Sequence, residues 1–353
     1  MKKDETVNLS GELAKWYEQN KRELPWRFTN DPYKIWLSEI ILQQTRVNQG
    51  WEYYEKFVEH FPTIIDLANA KEDKVLKLWQ GLGYYSRARN LHFAAKQVVN
   101  QFKGIFPSSY EDIIQLKGVG EYTASAIASI AFNEPKAVVD GNVYRVLARL
   151  FGIKTPIDSG KGRKQFAELA FEVLDKKNPG NHNQAMMEFG ALQCTPKNPD
   201  CGNCIFKSEC FAFNNDLVND LPVKEKKVKI TNRFFVYCIL ENSKGEILIE
   251  KRVGNDIWKG LYQFPLIELN KLASEKTIIE KSISHFKFKN AQLISASSTF
   301  KHILSHQRIE AVFVHFKVLE FQKSNSYLTI YKEDIINFGI PKLIENYVNK
   351  YEF

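Results

Sequence analysis

Four cysteines fall within seventeen positions, as Cys194-x6-Cys201-x2-Cys204-x5-Cys210. Thiolates at that density can enclose one metal ion or one cluster, and a single Cys-x2-Cys pair flanked by two unequal arms suits a cubane iron-sulfur cluster. A zinc site with four thiolate ligands is the rival, although zinc ribbons ordinarily show two short Cys-x2-Cys pairs. The clustering points to metal ligation in a reducing compartment rather than a disulfide framework. The fifth cysteine, Cys238, stands in a strand-like run and reads as an ordinary buried thiol.

Two acidic residues stand in contrasting settings. In DPYKIWLSEIILQQTRV, from Asp31 to Val47, Glu39 is the only ionisable side chain between Lys34 and Arg46. Ile35, Trp36 and Leu42 share its helical face, so burial should penalise its charged form and bring its pKa into the range of a general acid near neutrality. An exposed helical glutamate is the competing reading. Asp140, in VVDGN, precedes a helix from Val143 to Leu150, where it can accept backbone N–H bonds and meet the positive dipole end. It is expected to stay ionised, and a plain helix cap is the competing reading. Two carboxyls with pKa values pushed apart can cleave a glycosidic bond: one protonates the leaving group, the other supports or attacks the oxocarbenium-like carbon.

Between these carboxyls lies LKGVGEYTASAIASIAF, from Leu116 to Phe132. Gly118 and Gly120 flank Val119, so the backbone of Leu116–Gly120 can turn tightly and offer N–H groups to a phosphate at the start of the next helix. That helix repeats small residues, which lets another backbone come close. Gln43-Gln44-Thr45 and Gly81-Leu82-Gly83-Tyr84-Tyr85 add uncharged donors, pliable backbone and aromatic rings suited to separating stacked bases, or simply to packing.

The elements that position these residues divide into two textures. From Leu9 to about Asn215 apolar residues recur at helical spacing, with breaks at Pro25, Pro62, Pro107, Pro135 and Pro179. Asp31-Pro32 and Ser108/Ser109 before Tyr110 mark helix starts, and further helices are predicted around Trp51–His60, Lys71–Gln80, Ser86–Phe102 and Lys161–Asp175. A charged stretch with one proline, residues 216–232, reads as a linker whose lysines could also touch phosphates. From Arg233 a β-hairpin, a helix over Leu272–His285 and a long alternating strand in HQRIEAVFVHFKVLEF predict an α+β module. The fold class is therefore a mainly α domain, residues 1–215, followed by an α+β domain, residues 233–353.

The 353 residues suffice for two cores, and 49 Lys+Arg against 41 Asp+Glu, a net +8, leans toward a polyanionic partner. The first residues, MKKDETVNLS, contain no apolar secretion core, and no stretch approaches the length of a membrane span, so a cytoplasmic protein is expected.

Taken together these blocks resemble the helix-hairpin-helix DNA glycosylases, and within them the MutY adenine DNA glycosylase branch. The resemblance rests on LPW, DPYKIWLSEIILQQTRV, GLGYYSRARNLH, LKGVGEYTASAIASIAF, VVDGNVYRVLARLFG, NQAMMEFGALQC and the four-cysteine loop. It implies that Leu116, Gly118, Val119 and Gly120 bind DNA phosphate, that Glu39 protonates the adenine, and that Asp140 stabilises or captures the sugar cation. It further implies that Arg22 and Glu188 contact the flipped base, that Tyr122 assists at the sugar, and that Gln44 and Tyr84 wedge into the duplex beside Thr45 and Leu82. The cysteines would hold a 4Fe-4S cluster. Where glycosylase-lyases of the endonuclease III type carry a lysine after the hairpin, this chain has Tyr122, and a phenol cannot form an imine with the sugar.

The C-terminal module resembles the Nudix-like domain of the same family, which reads 8-oxoguanine on the opposite strand. No REUxEExGU run follows Gly260, so pyrophosphate hydrolysis is not expected. Ser305 and His306 match the recognition loop, with Leu304 where the family has phenylalanine or a similar residue. The expectation is a monomeric, monofunctional glycosylase that removes adenine paired with 8-oxoguanine or guanine in double-stranded DNA. A catalytically silent lesion-binding iron-sulfur protein and a bifunctional lyase are the alternatives.

Overall fold

The computed structural model describes residues 3–225, 229–271, 273–286, 291–321 and 326–351, with side chains from residue 9 onward. Residues 226–228 of the predicted linker and Leu272 of the predicted helix lie outside the described residues. The chain gathers into two compact units, Met1–Asn69 with Phe93–Lys226 and Ala70–His92 with Lys227–Phe353.

The first unit is helical. It contains α1 (Lys3–Asn20), α2 (Pro32–Leu42), α3 (Val47–His60) and α4 (Ile64–Asn69). The chain then passes through α5 (Glu72–Leu78) of the second unit and returns along α6 (Ser86–Phe102). Next come α7 (Tyr110–Ile113), α8 (Glu121–Phe132), α9 (Gly141–Phe151), α10 (Gly160–Glu172), α11 (Pro179–Leu192) and α12 (Phe211–Asn214). Local chemistry sets several starts. The Asp31 carboxylate accepts the Tyr33 N–H at 3.0 Å in front of Pro32, and the Ser109 and Ser159 hydroxyls accept N–H groups of Asp112 and Gly162.

Helix α2 buries Tyr33, Ile35, Trp36, Leu37, Ser38, Ile40 and Ile41, so it runs through the interior instead of lying on it. This is why Glu39 is the only charged residue on the helix after Lys34. Helix α8 packs on α2 and on α11. Its small residues admit close approach: a Cβ on Gly180 at the start of α11 would stand 2.7 Å from the Ser129 carbonyl oxygen and 2.8 Å from Ile130 Cα. Among the described residues no helix is long and apolar enough to cross a membrane.

The second unit is built on a sheet of β1 (Thr231–Glu241), β2 (Glu246–Lys251), β3 (Tyr262–Gln263), β4 (Leu266–Leu269), β5 (Gln292–Ala296), β6 (Phe300–Ile303), β7 (Gln307–Lys317) and β8 (Leu328–Tyr331). The main order is β3-β2-β1-β7-β5, with β4 on β1, β6 on β7 and β8 on β2. The predicted hairpin is β1–β2. The strand expected to alternate, β7, does not: Ala311, Val312, Phe313 and Val314 are all buried. It lies parallel to β1 in full register, Thr231 opposite Gln307 through Glu241 opposite Lys317. A sheet interior covered on both faces loses the period-2 signal. One face places Val312, Val314 and Phe316 in a cluster with Ile278 of α13 (Glu275–Phe286). On the other face Phe313 stacks on Tyr347 of α14 (Lys342–Lys350), ring centroids 4.0 Å apart.

Residues 70–92, predicted as part of the helical domain, pack with this second unit. Lys77 Nζ donates to the carbonyls of Ile336 (2.5 Å) and Phe338 (3.1 Å), Arg89 donates to the Lys259 carbonyl (2.6 Å), and Asp73 accepts from Lys251 and Tyr262. Periodicity cannot report such contacts, because they join side chains to partners far along the chain.

Candidate active site

In the helical unit a pocket of about 470 Å³ receives side chains from several helices. Glu39 comes from the last full turn of α2, Tyr122 from the first turn of α8, Asp140 from the cap of α9 and Glu188 from α11. The Tyr122 hydroxyl donates to Glu39 Oε2 at 2.6 Å. Burial pushes the Glu39 carboxyl up to about 7 despite that bond, and the nearby Asp140 charge pushes the same way. Burial and these two acids also carry the Tyr122 phenol far above its ordinary value, so it remains a hydrogen-bond donor.

Asp140 caps α9 as predicted. Its Oδ1 accepts the backbone N–H groups of Asn142 (2.9 Å) and Val143 (2.8 Å), and its Oδ2 accepts Asn142 Nδ2 (2.8 Å). The expected contrast with Glu39 needs one correction. Burial moves the Asp140 carboxyl upward too, against those three donors and the Arg145 charge. The cap is legible in the sequence; the depth of the cap is not.

Behind Asp140 the buried Arg145 donates to Asn142 Oδ1 (2.8 Å) and to the carbonyls of Gly190 (2.5 Å) and Cys194 (2.7 Å). Only a glycine fits at 190, since a Cβ there would stand 2.6 Å from Asn142 Cβ.

Glu188 is 1% exposed and is clamped twice. Arg22 bonds it through Nε (2.9 Å) and Nη2 (2.6 Å), and Arg27 through Nη1 (2.9 Å) and Nη2 (2.7 Å). Burial alone would raise its carboxyl, but these bonds outweigh it and hold the group down at about 2. The structure thus brings together the predicted Arg22 and Glu188 at the pocket wall. Arg27 is the member missing from the sequence-based set, and its only signal is its place directly after the quoted LPW. Gln43 reaches Thr123 Oγ1 (3.1 Å), Thr45 lines the pocket, and Gln44, next to it in sequence, adopts φ +57°.

In the predicted phosphate hairpin Leu116 and Val119 are buried while Gly118 and Gly120 are exposed. Gly118 takes φ +80°, and the Val119 N–H closes the turn on the Leu116 carbonyl at 3.0 Å. The apolar side chains anchor the turn, leaving its backbone as the surface element.

Cys194, Cys201, Cys204 and Cys210 are free and partly exposed, three of them packed against the hydrophobic core of this unit. Among the described residues no three His, Cys, Asp or Glu side chains gather as a single-ion site. The thiols are nonetheless close enough to influence one another: burial first, then the neighbouring cysteines, push Cys201, Cys204 and Cys210 upward. Arg149 Nη1 lies 3.5 Å from Cys194 Sγ. Four soft donors that feel one another, with a guanidinium beside Cys194, supply the donor chemistry that a thiolate-held group requires.

In the second unit, Leu82, Tyr84 and Tyr85 share the wall of a pocket of about 380 Å³ with Trp258, Leu304, Ser305 and His306. The Tyr84 hydroxyl meets Ser305 Oγ. The turn carrying Ser305 and His306 is closed by Leu304 N–H on the Gln307 carbonyl (2.8 Å), and Thr231 N–H holds the His306 carbonyl (3.0 Å). Cys238 is fully buried, and burial pushes its thiol up to about 12.

Two family models match the chain: a "HhH-GPD superfamily base excision DNA repair protein" over residues 37–171 and a "NUDIX domain" over 236–350. The adenine DNA glycosylase of Buchnera aphidicola subsp. Baizongia pistaciae (strain Bp) is 38% identical over 83% of this chain and 82% of its own length. This chain belongs to the adenine DNA glycosylase family. A second adenine DNA glycosylase, from Arabidopsis thaliana, is 36% identical over 90% of the chain, which spans 58% of that longer relative. Among solved structures a thermostable thymine-DNA glycosylase aligns with TM-score 0.56 and 28% identity, over 60% of this chain and 98% of its own. In this adenine DNA glycosylase family member, residues 70–92 fall inside the span of the first family model yet pack with the unit that contains the second.

Proposed function

We propose that this chain excises adenine mispaired with 8-oxoguanine or guanine in double-stranded DNA, leaving an abasic site and no strand break. The observation that carries the reading is the 2.6 Å bond from Tyr122 to a Glu39 carboxyl raised to about 7, in a pocket shared with Asp140. Glu39 gives its proton to a ring nitrogen of the base, and the glycosidic electron pair leaves with the base. Asp140, with three donors on its oxygens, is the better stabilised of the two carboxylates and is the first to lose its proton. It faces the sugar cation until water adds at C1′, the water's proton restoring the acid. Arg22 and Glu188 bind the flipped adenine, and Arg27 keeps Glu188 ionised.

Gln44 and Tyr84, with Thr45 and Leu82 beside them, separate the bases, while Leu116–Gly120 binds phosphate; extrusion costs a few kcal/mol that such contacts must offset. Residues 1–215 carry the chemistry, 216–232 connect, and Ser305 and His306 in 233–353 read the opposite base. The four cysteines hold a 4Fe-4S cluster, which supplies a rigid anchor for the loop when bound. The protein acts as a monomer in the cytoplasm, on DNA.

Single-turnover adenine release from an A:8-oxoguanine or A:G duplex tests the proposal. Release by the cluster-loaded protein and its loss in Glu39→Gln are expected; no release by the wild type overturns it. Borohydride trapping should give no covalent DNA adduct, because Tyr122 cannot form an imine.

A further inference from the structure

The loop presenting Tyr84 holds an unfavourable backbone. Gly83 takes φ +72° and Tyr84 φ +48°, consecutive left-handed residues, the second bearing a Cβ. Such a conformation persists only where its surroundings over-determine it. The surroundings here centre on one side chain. The Arg87 guanidinium lies 5.1 Å from the Trp79 ring centroid and 5.7 Å from that of Tyr84. Its Nη2 reaches the carbonyls of Gly83 (3.3 Å) and Leu82 (3.4 Å), and its own N–H donates to the Tyr84 carbonyl (2.9 Å). Trp79 Nε1 holds the same Gly83 carbonyl at 3.0 Å. Tyr84 remains 43% exposed, with its hydroxyl on Ser305.

We infer that Arg87 is a positioning residue: its guanidinium, between the Trp79 and Tyr84 rings, fixes the left-handed loop and holds Tyr84 outward for insertion into the duplex. A planar cation suits this place, since it can face two rings and bond two carbonyls at once. Burial lowers its pKa only to about 10, which leaves it charged near neutrality. The inference rests on the proposed wedge role of Tyr84.

The test compares single-turnover adenine excision by the cluster-loaded protein from two duplexes. One carries the A:8-oxoguanine mispair; the other places the target adenine opposite an abasic analogue, so that it has no pairing partner. Arg87→Met should lower the ratio of the first rate to the second about tenfold, and Arg87→Lys, which keeps charge without planarity, about threefold. Equal losses on both duplexes, marking a merely structural role, or an unchanged ratio overturn the inference. If Arg87→Met does not fold, Arg87→Lys is decisive, and an unchanged ratio overturns it. Tyr84→Ala run alongside separates the two levels. A ratio moved by Tyr84→Ala but not by the Arg87 variants removes this inference alone, whereas a ratio unmoved by Tyr84→Ala removes the wedge reading beneath it.

Discussion

The two pockets deliver their side chains by opposite means. In the helical unit Glu39, Tyr122 and Glu188 sit within helices and Asp140 caps one, so each is fixed by a hydrogen-bonded backbone that exists independently of the pocket. In the second unit Tyr84, Ser305 and His306 sit on turns held by a few bonds from Trp79, Arg87 and Thr231. Under the proposed function, the difference matches the demands on each. Proton transfer tolerates little displacement of the acid, whereas contact with a distorted duplex benefits from surfaces that protrude. Substitutions at the first pocket should therefore affect chemistry on every substrate, and those at the second should change which substrate is preferred.

The largest expected effect is in the first pocket. Glu39→Gln should lower the single-turnover rate by about 10²- to 10⁴-fold on both A:8-oxoguanine and A:G duplexes, and a change confined to one duplex would erase the contrast between the pockets. Next is Glu188→Gln, which leaves two arginines uncompensated and should destabilise the helical unit by about 3 kcal/mol in denaturant titration. That contribution has a defined pH window. The folded carboxyl lies at about 2, below its ordinary value, so the stabilisation is present above the ordinary carboxylate range and is lost as pH falls toward 2.

Glu39 has the reverse sign. Its folded carboxyl is raised to about 7, so ionising it opposes folding increasingly from about pH 5 to 7 and then uniformly. Glu39→Gln should accordingly gain about 1 to 3 kcal/mol at pH 8 and little at pH 4, while wild-type excision falls above pH 7 as the acid deprotonates. Equal melting shifts at both pH values would remove the buried-acid account. The smallest effect is expected for Ser305→Ala: about a threefold to tenfold loss of preference for 8-oxoguanine over guanine, worth about 1 kcal/mol, with A:G excision retained.

Much of the first pocket can be read in the sequence because its determinants are local. Glu39 betrays its burial by eleven consecutive residues, Ile35 to Thr45, in which it is the sole charge, and Asp140 shows its capping role by standing before Gly141-Asn142. The Ser86–Phe102 helix is predicted with its observed ends. What escapes is set by distant packing. The upward direction of the Asp140 pKa depends on what covers the cap, Arg27 joins Glu188 across 161 positions of the chain, and the parallel β1–β7 pair hides its faces in an unbroken apolar run.

The placement of residues 70–92 carries a consequence for the order of folding. Lys77 and Arg89 find their acceptors in Phe338, Ile336 and Lys259. During synthesis that segment emerges early, but its docking sites at Ile336 and Phe338 are made only when the chain is nearly complete, and β1 must likewise wait for β7. Closing such long loops is slow compared with forming helices. The stretch bearing Tyr84 therefore matures last, after the helices bearing Glu39 and Asp140 can already be in place.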